Sequence, residues 1–153
     1  MRKLSVIVMV MVFCLLPISF YAAEKDAPGC KDHPLIPRMP GYYIAGCNEI
    51  PARADIDIIK GEITETVHFE GKSRVFSYMP QPDSKTKLSE AQLLNGFENA
   101  IKKMNGNLFG ITYGQRWPVY TITKDDKKFW IILLVDSGKY FNGSYACRII
   151  ENN

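Results

Sequence analysis

The sequence predicts an α+β domain: a mostly antiparallel β-sheet of about five to six strands with one long helix packed on one face. Three observations lead there. Residues 89–104 read as an amphipathic helix with both ends marked, since Ser89 and Gln92 have the spacing of a capping box, Leu88 and Leu93 that of a hydrophobic staple, and Gly106 stands as a stop. Leu93, Phe97, Ala100, Ile101 and Met104 recur at three- and four-residue intervals, so one face needs a covering layer. β-type segments lie on both sides of the helix to supply it. The alternative is a helix outside a small sandwich, which would bury that stripe less. With 153 residues, 46% hydrophobic and 23% charged, the chain supports a single core.

The first 23 residues differ from the rest. Met1-Arg2-Lys3 is a basic head, Leu4 to Leu16 is almost wholly apolar, Pro17 breaks the run, and Ala22-Ala23 precede Glu24-Lys25-Asp26. This is the outline of a secretory signal peptide over residues 1–23, leaving 24–153 as one domain in the periplasm or outside the cell, with no integral membrane span once the signal is gone. Phe20 or Tyr21 stands where the cleavage site prefers a small residue, so an uncleaved anchor is the alternative. Cys14 follows Phe13 and lies inside the apolar run, which excludes lipidation there.

Export leads to an oxidising compartment with Cys30, Cys47 and Cys147 in the mature part. Cys30 and Cys47 flank a Pro- and Gly-rich stretch and are the expected disulfide, contributing about 3 kcal/mol on a loop-entropy model. Cys147, in an apolar strand, is expected to fill core space, although three cysteines permit three single bridges. There is no CxxC, and His33 and His68 are isolated, so neither a metal site nor a cofactor is expected. The net charge of +3 falls to +1 without Arg2 and Lys3, and the run Lys124 to Lys128 is interrupted by Asp125 and Asp126. A nucleic-acid footprint is therefore not expected.

Along the mature chain, Pro28, Pro34, Pro37 and Pro40 make residues 24–41 an irregular arm. Residues 42–46 read as a short strand and 51–60 as an edge segment. Residues 63–70 alternate, Gly71-Lys72 reads as a turn, and 74–79 as the return strand of a hairpin. Residues 80–87 lead into the helix. Beyond it, 108–113 form a strand, 114–118 a loop, and 119–123 with 129–135 a second hairpin around the Lys-Asp-Asp-Lys tip. Residues 138–143 turn, and 144–150 close the domain. Closed membrane barrels need at least about eight strands, so a transmembrane barrel is set aside.

Lys31-Asp32-His33-Pro34-Leu35, then Arg38-Met39-Pro40-Gly41-Tyr42-Tyr43-Ile44, resembles the opening of the N-terminal domain found ahead of the peptidoglycan-binding domain in some bacterial OmpA-family envelope proteins. Phe97 to Lys103 is similar to that domain's helix, as is the Lys-Lys-Phe-Trp-Ile segment ending at Ile131. The resemblance spans essentially the whole mature chain and implies a bacterial envelope setting without a catalytic motif. The second domain of those proteins, which carries wall attachment, has no counterpart in residues 24–153, so no residue inherits peptidoglycan binding.

No catalytic constellation is evident. Asp32-His33 sets a carboxylate beside an imidazole, but adjacent side chains bond each other poorly and no GxSxG is present. Glu62, Glu65 and Glu70 show no convergence, and His68 falls on a polar strand face. Binding character concentrates in Tyr113-Gly114-Gln115-Arg116-Trp117-Pro118, where Tyr113, Arg116 and Trp117 offer a platform to a glycan, a peptide or a partner surface. The competing reading folds Trp117 over a sheet edge as packing. The expected function is a non-enzymatic envelope module that binds an envelope protein or cell-wall component. The alternatives are a small secreted hydrolase, or an inhibitor or effector acting on a foreign target.

Overall fold

The structure, a computed structural model, describes residues 24–84, 87–136 and 141–152; the expected signal peptide lies outside them. Six strands run β1 (Tyr42–Lys60), β2 (Ile63–Pro80), β3 (Asn107–Thr112), β4 (Pro118–Lys124), β5 (Lys127–Leu134) and β6 (Tyr145–Asn152), with helix α1 (Glu90–Lys103) between β2 and β3. They close into an antiparallel barrel of order β1-β2-β6-β5-β4-β3. Among the described residues no helix is long and apolar enough to cross a membrane.

The α+β expectation, with its long helix across an open sheet, is overturned: the described residues form a β-rich closed barrel with one 14-residue helix. The cause lies in the first hairpin. The segments expected at 42–46 and 51–60 are one strand of 19 residues, and those at 63–70 and 74–79 are one strand of 18, joined by a turn at Gly61 and Glu62 rather than at Gly71. Gly71 (φ 149°) instead lies in the ladder opposite Ala52 and Asn152, at the point where β2 begins to pair with β6 as well as β1. Its φ is one that glycine adopts within a strand, and the ladder runs through it without a shift in register. The outer half of this hairpin returns to the sheet, and Ile58 and Ile59 pair with Thr112 and Ile111 of β3. Gly110 makes that approach possible: a Cβ on it would lie 2.5 Å from the Ile59 carbonyl oxygen.

Side chains alternate between two cores. Ala52, Ile58, Phe69, Val119, Trp130, Ile132 and Ile150 form one cluster. In it Trp130 meets Phe69 at 5.3 Å and Phe109 at 4.7 Å, contacts between strands that are not neighbours, which places the set inside the barrel. A barrel interior only just accommodates side chains even at eight strands, so the helix sits outside. There Leu93, Phe97 and Ile101 cover Tyr120, Ile122, Ile131 and Leu133 in the second cluster. Ser89 accepts from Gln92 N while the Gln92 side chain accepts from Ser89 N, completing the capping box.

The arm completes the outer core with Leu35, Ile36 and Met39. Asp26 accepts from Ile44 N at 2.9 Å, Tyr145 Oη accepts from Met39 N at 3.1 Å, and Arg38 spans Asp26 and Asp32. The guanidinium beside Asp26, with the Ile44 amide, holds its carboxyl below the usual range. Cys30 and Cys47 form the disulfide that staples this arm to β1. Cys147 is fully buried as a free thiol, and burial pushes its pKa far up. Phe97 is 1% exposed, so Phe97→Ala is expected to cost about 3–5 kcal/mol in urea unfolding. An unchanged midpoint would show that α1 does not seal the outer core.

Candidate functional site at the barrel mouth

The β3–β4 connection is short and heavily bonded. Tyr113 N donates to Asp57 O at 2.8 Å, Arg116 N to Thr112 O at 3.0 Å, and Thr112 N to Trp117 O at 2.8 Å. Trp117 N donates to Thr112 Oγ1 at 3.0 Å, and Trp117 Nε1 reaches Val135 O at 3.2 Å. The loop thus ties β1, β3 and the end of β5 together just beyond the two-pair closure.

Beside it opens a cavity of about 300 Å³, lined by Asp55, Ile56, Asp57, Thr112, Tyr113, Gln115, Trp117, Ile132, Leu134 and Arg148. Ile56, Trp117, Ile132 and Leu134 continue the inner core outward. Arg148 shares the inward side of β6 with Ile150, and its Nε donates to Oγ of fully buried Ser73 at 2.9 Å. It forms no ion pair among the described residues. Removal from water lowers its pKa, yet a guanidinium remains protonated. The mouth therefore presents an apolar wall around a half-buried positive charge. At the rim, Asp55 bonds His68 Nδ1 at 2.6 Å and Asp57 accepts from Thr66 Oγ1 at 2.7 Å.

Of the three residues singled out from sequence, Tyr113 and Trp117 share this cavity, whereas Arg116 does not line it. Arg116 (φ 59°) contributes to a separate surface recess with Lys60, Leu108 and Phe109. The guanidinium of the mouth is Arg148, which sequence reasoning missed. Its signal was a charged residue set among the apolar residues 145–150 of the last strand, two positions before Ile150 and so on the same face.

Asp32 and His33 do lie in a cleft, of about 280 Å³, with Glu49, Arg74 and Phe76. They do not form a dyad. Asp32 accepts from Arg38 Nε at 2.9 and 3.1 Å, and His33 Nδ1 accepts from Leu35 N at 3.3 Å. The imidazole is set edge-on to Phe76 and Phe129, and burial together with Arg74 lowers its pKa, which favours the neutral ring. Elsewhere Glu65 pairs with Lys60, and among the described residues no group of three or more His, Cys, Asp and Glu is placed to hold a metal.

Comparison with protein-family models and with curated proteins found no match.

Trp117 is half-buried and hydrogen-bonded, whereas Tyr113 is 66% exposed. Trp117→Ala is expected to destabilise the fold by about 1–3 kcal/mol, and Tyr113→Ala by no more than about 0.5 kcal/mol. Denaturant titration separates the two; equal losses would mean that the loop is not anchored through Trp117.

Proposed function

We propose that the protein is a non-enzymatic binding module of the bacterial cell envelope, periplasmic or secreted, with the barrel mouth as its recognition surface. The observation that carries the reading is the cavity itself: an aromatic rim from Tyr113 and Trp117 over apolar walls, with the Arg148 charge at its side and, among the described residues, no carboxylate bonded to it. Binding sites have this composition, a largely apolar concavity with few, placed polar groups. Aromatic residues and arginine also dominate interface energetics. The Cys30–Cys47 bridge accords with an oxidising compartment. The leader-like first 23 residues and the resemblance to OmpA-family N-terminal domains point to the same setting. A binding role also accords with His33 being held as an acceptor for a backbone amide and Cys147 being sealed in the outer core, where neither is poised for chemistry.

A photo-crosslinking residue placed at Tyr113 in bacterial cells tests this, with the same residue at exposed Asn99 of α1 as control. The expected result is a discrete envelope adduct from position 113 and none from 99. Free protein from every envelope fraction at both positions, or identical adducts from both, would overturn the reading.

A further inference from the structure

We infer that the barrel mouth is a site for a small organic monocarboxylate with an apolar body, whose carboxylate is received by Arg148. This rests on the mouth being a recognition surface and names what it recognises.

The charge is built into the site. Arg148 leaves β6 on the inward side, and Ser73 takes only its Nε hydrogen. Ser73 is 0% exposed and carries no charge, so it fixes the guanidinium plane without neutralising it. Among the described residues the terminal Nη groups have no acceptor, and a carboxylate matches that fork with two parallel bonds. By contrast Arg38, at the surface, is met by both Asp26 and Asp32. Half-burial strengthens the pull of Arg148 on an incoming anion, because the surroundings screen it less than water does.

The walls specify the remainder of the ligand. Ile56, Ile132, Leu134 and the Trp117 ring offer only apolar surface, which suits an aryl or alkyl chain. A volume of about 300 Å³ lies at the lower end of ligand pockets and limits the occupant to a small molecule or the terminal residue of a peptide. Asp55 and Asp57 at the rim disfavour a second negative charge, so a phosphate monoester fits less well than a carboxylate.

The test is calorimetric titration of the mature protein with 4-phenylbutyrate, 4-phenylbutyramide and phenyl phosphate, and with an acetylated peptide ending in phenylalanine as free acid and as amide. Saturable binding of phenylbutyrate is expected, at least tenfold tighter than the amide or the phosphate. The peptide acid distinguishes a chain terminus from a free small acid: tighter binding than phenylbutyrate assigns the terminus as source, weaker binding the free acid. Arg148→Met should weaken carboxylate binding at least tenfold, with Arg148→Lys intermediate. The acid-against-amide comparison on the unaltered protein stands even where a variant misfolds. Equal binding of acid and amide, no binding of either acid, or unchanged affinity in folded Arg148→Met would overturn the inference. An adduct at position 113 without carboxylate binding would sink this inference alone; carboxylate binding without an adduct would sink the envelope-partner reading alone.

Discussion

The structure depends on a small contact, the pairing of Ile58 and Ile59 on β1 with Thr112 and Ile111 on β3. Every other strand pair is longer. Without this one the sheet is an open, curled layer, and the inner side chains Ile58, Phe69 and Trp130 lose the wall that shields them from water. Burial of that apolar set is what drives closure, at about 25 cal/mol per Å² removed from solvent. Gly110 sets the distance: any Cβ there meets Ile58 and the Ile59 carbonyl below 3.0 Å. Closure then positions the Tyr113–Trp117 loop, since Tyr113 N bonds Asp57 O on the strand just docked. Sheet, core and mouth are linked through this one seam.

Two arginines show how differently the fold treats charge. Arg38 lies between two carboxylates and raises no unmet demand; its pairs contribute little individually at a partly exposed site. Arg148 has exchanged part of its hydration for one hydroxyl, and desolvation without a bonded counter-charge among the described residues opposes folding. Trp130 Nε1, deeper in the same barrel, is a further buried donor with no partner among the described residues. Polar groups left in this condition inside an apolar barrel lower stability. At Arg148 the group also borders a cavity, where an incoming acceptor would complete it.

What could be read from the sequence follows from how local each feature is. The helix was legible because its cap, stripe and stop lie within 18 consecutive residues, Ser89 to Gly106. The Asp125-Asp126 tip, with both residues at positive φ, was legible for the same reason. The long hairpin was not, because Gly71-Lys72 has the composition of a turn and only its pairing with β1 and β6 shows that the strand continues. Barrel closure joins residues 58–59 to 111–112, more than fifty positions apart, and leaves no periodic trace. At the site, Tyr113 and Trp117 stood out as exposed-loop aromatics. Arg116, adjacent in sequence, lines a different recess, and Arg148 reaches the cavity of Tyr113 and Trp117 only through the pairing of β6 with β5.

The seam is tested most directly by native-state hydrogen exchange on Gly110→Ala. The added methyl must displace the Ile59 carbonyl, so the Tyr113 amide, bonded across to Asp57, should lose at least about tenfold in protection relative to the Ile101 amide in the helix. Selective loss at Tyr113 is the result that follows if closure onto β3 holds the mouth. Unchanged protection, or equal loss at Tyr113 and Ile101, would contradict it.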